Sequence, residues 1–197
     1  MVAACGGGEM SLTEYVERIN AVVNRASEQY FDLVASPQGE VLVAEGTRLT
    51  DFAPQDLQAA LERVREIEAE FEEAVDVIKP PEPVANFHDL LFDFDDNFIT
   101  AQEALATRAG TAADWEELSE SPAMAAYRAA LAEDKQECVD SEAELNAIAE
   151  RREIFADTPW IPGELKEIFE VVLGCEGYPE DPEDVYRPPP TATPSTT

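Results

Sequence analysis

Apolar residues recur along most of this chain at alternating steps of three and four, the spacing that sets them on one side of an α-helix and predicts that side to be buried. The stretch that organises the rest follows the corner Pro80, Pro81 and Pro83. There Phe87, Leu91, Phe94, Phe98, Ala101 and Leu105 predict one continuous helix, ended by Gly110 as a left-handed cap. Before it, Leu12, Tyr15, Ile19, Val22, Ala26 and Leu33 predict a first helix, opened by a capping box of Ser11 and Glu14. A second helix starts at Asp51 or Pro54 and carries Leu57, Leu61, Val64, Ile67, Phe71, Val75 and Ile78. Pro80 stops it, having no amide hydrogen and crowding the preceding turn. After Gly110, a short turn with Trp115 and Leu118 leads to a fourth long helix, opened by Ser121 and Pro122. Met124, Tyr127, Leu131, Cys138, Leu145 and Ile148 mark its apolar face. A last helix over residues 163–173 presents Leu165, Ile168, Phe169 and Val172 on one side.

These elements predict an all-α fold, an antiparallel up-down bundle of four long helices plus a shorter C-terminal helix, in one domain over residues 11–176. Two segments interrupt the helical pattern. Residues 38–52 hold a β-branched run, Val41, Leu42 and Val43, between Gly39 and Gly46, and predict a short hairpin or an ordered loop. Long loops in compact domains often carry function, so this one is a candidate binding surface. Residues 151–162 form a second connector whose Phe155, Trp160 and Ile161 are expected to pack across the bundle end, where Trp115 and Trp160 mark another candidate contact surface. From Gly177 the prolines multiply and the chain ends RPPPTATPSTT. Residues 177–197 are predicted to be a proline-rich disordered or extended tail, because so little apolar area cannot offset the entropy of ordering it.

Charge narrows the list of partners. The 197 residues carry a formal net charge of −30, with 43 acidic side chains against 13 lysines and arginines. That balance excludes nucleic acid, whose phosphates need clustered cations, and it excludes electrostatic attraction to anionic lipid. Candidate chemistry is sparse. Asp93, Asp95 and Asn97 imitate the opening of a calcium loop, but Phe98 stands where its glycine belongs and Ala104 where its bidentate glutamate belongs. The single histidine, His88, argues against zinc and carboxylate-bridged di-metal sites. The sequence therefore predicts no metal, no cofactor and no catalytic residue. His88 and Tyr127 are the candidate ligand-binding residues, for a small molecule lodged between helices.

The first residues carry the most specific signal. Val2-Ala3-Ala4-Cys5 resembles the end of a bacterial lipobox, in which small residues precede a cysteine that is acylated, and glycines 6–8 then read as a tether within residues 1–10. Val2 replaces the commoner leucine. The charged and apolar regions of a signal peptide do not precede the motif, so Met1 is expected to lie inside the apolar core of a longer signal. With the PPEPVANFH corner, this start makes the chain similar to bacterial cell-envelope lipoproteins with helical-bundle ectodomains. The resemblance implies lipid on Cys5, attachment to the cell membrane and an extracytoplasmic location. It also resolves the cysteine arithmetic, since Cys138 and Cys175 are then free to form a disulfide in an oxidising compartment. Without it, Cys138 and Cys175 read as reduced, space-filling thiols and Cys5 as an ordinary one. The expected role is a monomeric, non-catalytic interaction or binding module for an envelope protein or small ligand. The alternatives are a ligand-sensing or solute-binding bundle and a cytoplasmic acidic helical protein.

Overall fold

The computed structural model describes residues 10–92, 96–151, 153, 155–172 and 175–189. Cys5 with its lipobox-like neighbours, Phe94, and the end of the tail lie outside the described residues. Among those described, every regular element is helical: α1 (Leu12–Val34), α2 (Pro54–Asp76), α3 (Ala85–Leu91), α4 (Asp96–Ala109), α5 (Trp115–Ser119), α6 (Pro122–Ala149) and α7 (Ile161–Val172). Short 3₁₀ turns join them. The fold class is the all-α helical bundle that the periodicity predicts.

Local chemistry explains most boundaries. The Ser11 hydroxyl accepts the Glu14 amide at 3.1 Å, one half of the predicted capping box at the start of α1. Ser121 caps α6 by accepting the Met124 amide at 3.2 Å, and Asp114 caps α5 by accepting the Glu117 amide at 2.9 Å. After α1 the chain turns on Ser36 and Gly39. A Cβ at Gly39 would lie 2.1 Å from the Leu33 carbonyl oxygen, so only glycine allows the backbone to pass so close. Gly110 is not a left-handed cap, as Gly46 is the glycine with positive φ among the described residues. Its role is room: a Cβ there would fall 2.2 Å from the Gln58 Oε1.

The chain divides into two compact units. The first comprises Met1–Ser27, Glu68–Phe94 and Glu137–Glu176, the second Glu28–Ile67, Asp95–Gln136 and Gly177–Thr197. Helices α1, α2 and α6 supply residues to both. The predicted third helix is accordingly two helices, α3 ending at Leu91 and α4 beginning at Asp96, and its single stripe is shared out. Phe87 and Leu91 enter the core of the first unit, whereas Ala101 and Leu105, with Phe98 against them, enter that of the second. α3 closes at Phe92, whose backbone leaves the helical region at φ −120° and ψ 21° while its amide still donates to the His88 carbonyl. A periodic stripe does not require an unbroken backbone.

In the first unit, Tyr15, Val16, Ile19 and Val23 of α1 meet Ile78, Val84, Phe87, Leu91, Leu145, Phe155, Ile161, Leu165 and Ile168. Phe155 and Ile161 are buried as expected, but Trp160 between them is 45% exposed and is no plug. A disulfide joins Cys138 to Cys175, which lie 37 positions apart in sequence, with Cα atoms 5.8 Å apart. On the chain-entropy account such a closure contributes about 4 kcal/mol by restricting the unfolded chain.

In the second unit, residues 38–52 form no hairpin. They fold as 3₁₀ turns, Glu40–Val43 and Gly46–Asp51, which turn Val41, Ala44 and Leu49 inward against Leu57, Leu61, Leu105, Leu118 and Met124. Val41 of the β-branched run is therefore a core residue, whereas Val43 is 51% exposed. The tail also departs from expectation. Residues 177–189 do not trail into solvent, because Tyr178, Val185 and Tyr186 pack onto this core. Proline content hid two aromatic rings and a valine whose burial offsets the cost of ordering the segment.

Candidate functional site

The arrangement in the second unit that most resembles a recognition site is built along α6 by this C-terminal strap. Four contacts define it. The Tyr178 hydroxyl donates to the Asp134 carboxylate, and the Lys135 ammonium donates to the Pro179 carbonyl at 3.0 Å. Arg128 donates twice to the Val185 carbonyl, from Nη2 at 2.8 Å and Nε at 3.1 Å. Tyr186 then stacks on Tyr127 and on Trp115, with ring centroids 6.4 Å and 6.2 Å away. As the strap advances from residue 178 to 186, its partners on α6 retreat from 134 to 127, so the two run antiparallel. Seven helical residues cover about 10 Å, whereas eight extended ones would cover more than twice that. The 3₁₀ turn Pro182–Asp184, capped by the Asp181 side chain, takes up the difference.

Arg128 is the centre of this construction. It is 7% exposed, and its third hydrogen bond, from Nη1, goes to the Ser119 carbonyl at 3.3 Å. Burial lowers its pKa and the nearby Arg187 adds to that, while Glu183 and Asp184 of the strap act in the opposite sense. The guanidinium stays charged regardless, because its ordinary pKa is so high. A buried cation held chiefly by neutral carbonyls is a strong hydrogen-bond donor aimed at whatever backbone lies over it.

The aromatic surface continues beneath the strap. Phe98 of α4 lies 5.6 Å from Tyr127 between ring centroids, and the Trp115 indole donates to the Phe52 carbonyl at 2.8 Å, which fixes its ring. Burial raises the Tyr186 phenol well above its ordinary pKa, with Tyr127 and Tyr30 adding to it. Its backbone has φ of +50°, the left-handed region that a side chain with a Cβ disfavours. One turn along α4 from Phe98, Gln102 is 4% exposed and its Oε1 has no hydrogen-bond partner.

The two residues expected to share a ligand fall in different units, Tyr127 in the second and His88 in the first. Each is engaged by its own neighbours. The Tyr15 hydroxyl stands 3.1 Å from His88 Nδ1, and the His88 ring packs edge-on against Phe92 at 4.9 Å. Burial lowers the His88 pKa, only partly opposed by Asp89 and Asp76, so the neutral imidazole is favoured. Burial also raises the Tyr15 pKa, with Asp89 adding to it, so its hydroxyl keeps its proton in this pair, and the His88 tautomer decides which of the two donates. This is a histidine bordering a core through one hydrogen bond.

Of the predicted aromatic contact surface, Trp115 is buried and Trp160 is exposed, each within its own unit. Among the described residues, no group of three or more histidine, cysteine or acidic side chains could hold a metal ion, and no helix is long and apolar enough to cross a membrane. Sequence reasoning overlooked Arg128, although a signal existed: it is the only charged residue between Glu120 and Glu133, in the run PAMAAYRAALA. The chain matches no family model, no curated protein and no solved structure.

Proposed function

We propose that this protein is an extracytoplasmic binding module, non-catalytic and held at the bacterial cell membrane by lipid on Cys5. The observation that carries the reading is the Cys138–Cys175 disulfide, a bond that persists in oxidising compartments and is rare where thiols are kept reduced. With those two joined, Cys5 is the cysteine left over, and it is the one in the lipobox-like setting. The choice of binding over chemistry is supported by what the buried polar groups do. Ser121 caps a helix and Arg128 holds a strap by its backbone, which are tasks of recognition and support.

Expression from the native gene in its own host, followed by detergent phase partitioning, tests the anchor. The wild-type protein is expected in the detergent phase with a mass increased by lipid at Cys5, and Cys5→Ser in the aqueous phase. A native molecule with an unmodified fifth residue overturns the assignment. Alkylation without reduction tests the compartment separately, with Cys138 and Cys175 expected in one linked peptide.

A further inference from the structure

We infer that the surface beneath the C-terminal strap is a peptide-binding groove, occupied in this state by the strap itself, and that its partner is an extended segment of another protein. The chemistry of that segment can be read from what now fills the groove. An aromatic side chain goes between Trp115 and Tyr127, in the place of Tyr186. The residue before it is small and apolar, and its carbonyl accepts from Arg128 as that of Val185 does. An upstream carbonyl or hydroxyl meets Lys135 or Asp134.

Three features mark the strap as displaceable. Its apolar contacts are limited to Tyr178, Val185 and Tyr186, each only partly buried, and of these only Tyr186 enters the aromatic stack. That residue adopts left-handed backbone, which costs about 1 to 2 kcal/mol and which a segment arriving in trans need not adopt. The strap is also acidic, with Glu180, Asp181, Glu183 and Asp184 against Arg187 alone, on a chain of net charge −30. Like-charge repulsion therefore favours a partner with fewer carboxylates.

The inference rests on the reading of the protein as a binding module but not on the lipid at Cys5, and its test uses purified, oxidised full chain. A fluorescent 13-residue peptide with the sequence of residues 177–189 is the probe. Hydrogen exchange of the wild-type chain should show the Asp184, Val185 and Arg187 amides opening at least tenfold faster than those of α6, and faster again with excess probe. The full chain carrying Tyr186→Ala should bind the probe at least tenfold more tightly than wild type, and adding Arg128→Leu should abolish that gain. A probe with Glu180→Gln and Glu183→Gln should bind more tightly still.

Strap amides that exchange together with α6 and ignore the probe would show the strap to be an integral part of the core and overturn the groove. If Tyr186→Ala loses its helical circular dichroism, the wild-type exchange decides alone. Dimers that protect the strap amides as protein concentration rises would put a second copy's strap in the groove and overturn a partner of different sequence. Failure here leaves the detergent partitioning of the native protein untouched, and an aqueous native protein leaves the groove untouched.

Discussion

The two units solve the same packing problem with different side chains. The buried cluster of the first unit is built from large aliphatic and aromatic residues, Tyr15, Ile19, Phe87, Phe155 and Leu165 among them, and contains no alanine among the described residues. That of the second holds Ala44, Ala60, Ala101, Ala106, Ala109, Ala112 and Ala130. Small residues let helices approach toward the near end of the usual range of about 8 to 10 Å, but each removes less apolar area from water. The second unit adds aromatic bulk to these alanines, with Trp115 inside the cluster and Tyr186 of the strap packed against it. The first supplements its large side chains with a covalent bond. A core that takes part of its aromatic cover from the C-terminal strap is the one on which the proposed exchange of that cover can be tested.

Substitutions that act in opposite directions on the two cores sharpen the contrast. The largest effect is expected from Phe87→Ala, which empties a fully buried site of the first unit and should cost about 3 to 5 kcal/mol in urea melts followed by circular dichroism. Replacing both Cys138 and Cys175 by alanine should cost about 4 kcal/mol in the same melts, through the unfolded state. A loss below about 1 kcal/mol would show that the bond adds little to the first unit. Ala109→Leu, at a fully buried alanine of the second unit, should cost about 1 to 3 kcal/mol by overpacking. If that variant were neutral, the alanines would not be setting helix separation.

The smallest effect concerns pH. Because the folded His88 pKa lies below its unfolded value, the unfolded chain binds the proton first as pH falls. Stability is therefore full above about pH 6.5, falls as pH drops from there toward the lower folded pKa, and is flat below it for this group. Protonation of the many carboxylates acts on every variant alike. Relative to His88→Gln, the wild type should lose on the order of one degree of Tm between pH 7.5 and 5.5. A parallel dependence in both proteins would remove His88 from the account.

Much of the secondary structure was legible because it depends on local rules. The Ser11 and Ser121 caps, the proline stop after α2 and the apolar face of α6 follow from spacing and from residues that finish or forbid helical hydrogen bonds. What escaped was the global use of those faces. The stripe from Phe87 to Leu105 reads as continuous, yet its halves serve different cores, because periodicity specifies a side of a helix and not the partner that covers it. Residues 38–52 look like a loop by their glycines, while Val41 and Leu49 are core residues in 3₁₀ turns, a conformation without a long-range periodic signature. The strap was hidden by averaging, since its prolines and acids outweigh the rings of Tyr178 and Tyr186. His88 borders one apolar face and Tyr127 lies on another, and a position on a face says nothing about which unit a residue joins. The more telling outlier was Arg128, a lone charge inside an alanine-rich run.

The bond between positions 138 and 175 makes a closed ring out of half of α6, the following connector and α7. A protease that cuts once inside this ring, for instance after the exposed Arg151, does not release a fragment. The nicked molecule migrates as one piece on a denaturing gel until a reductant is added, and then separates into two. Damage at that connector therefore leaves the strap attached to the body that it covers.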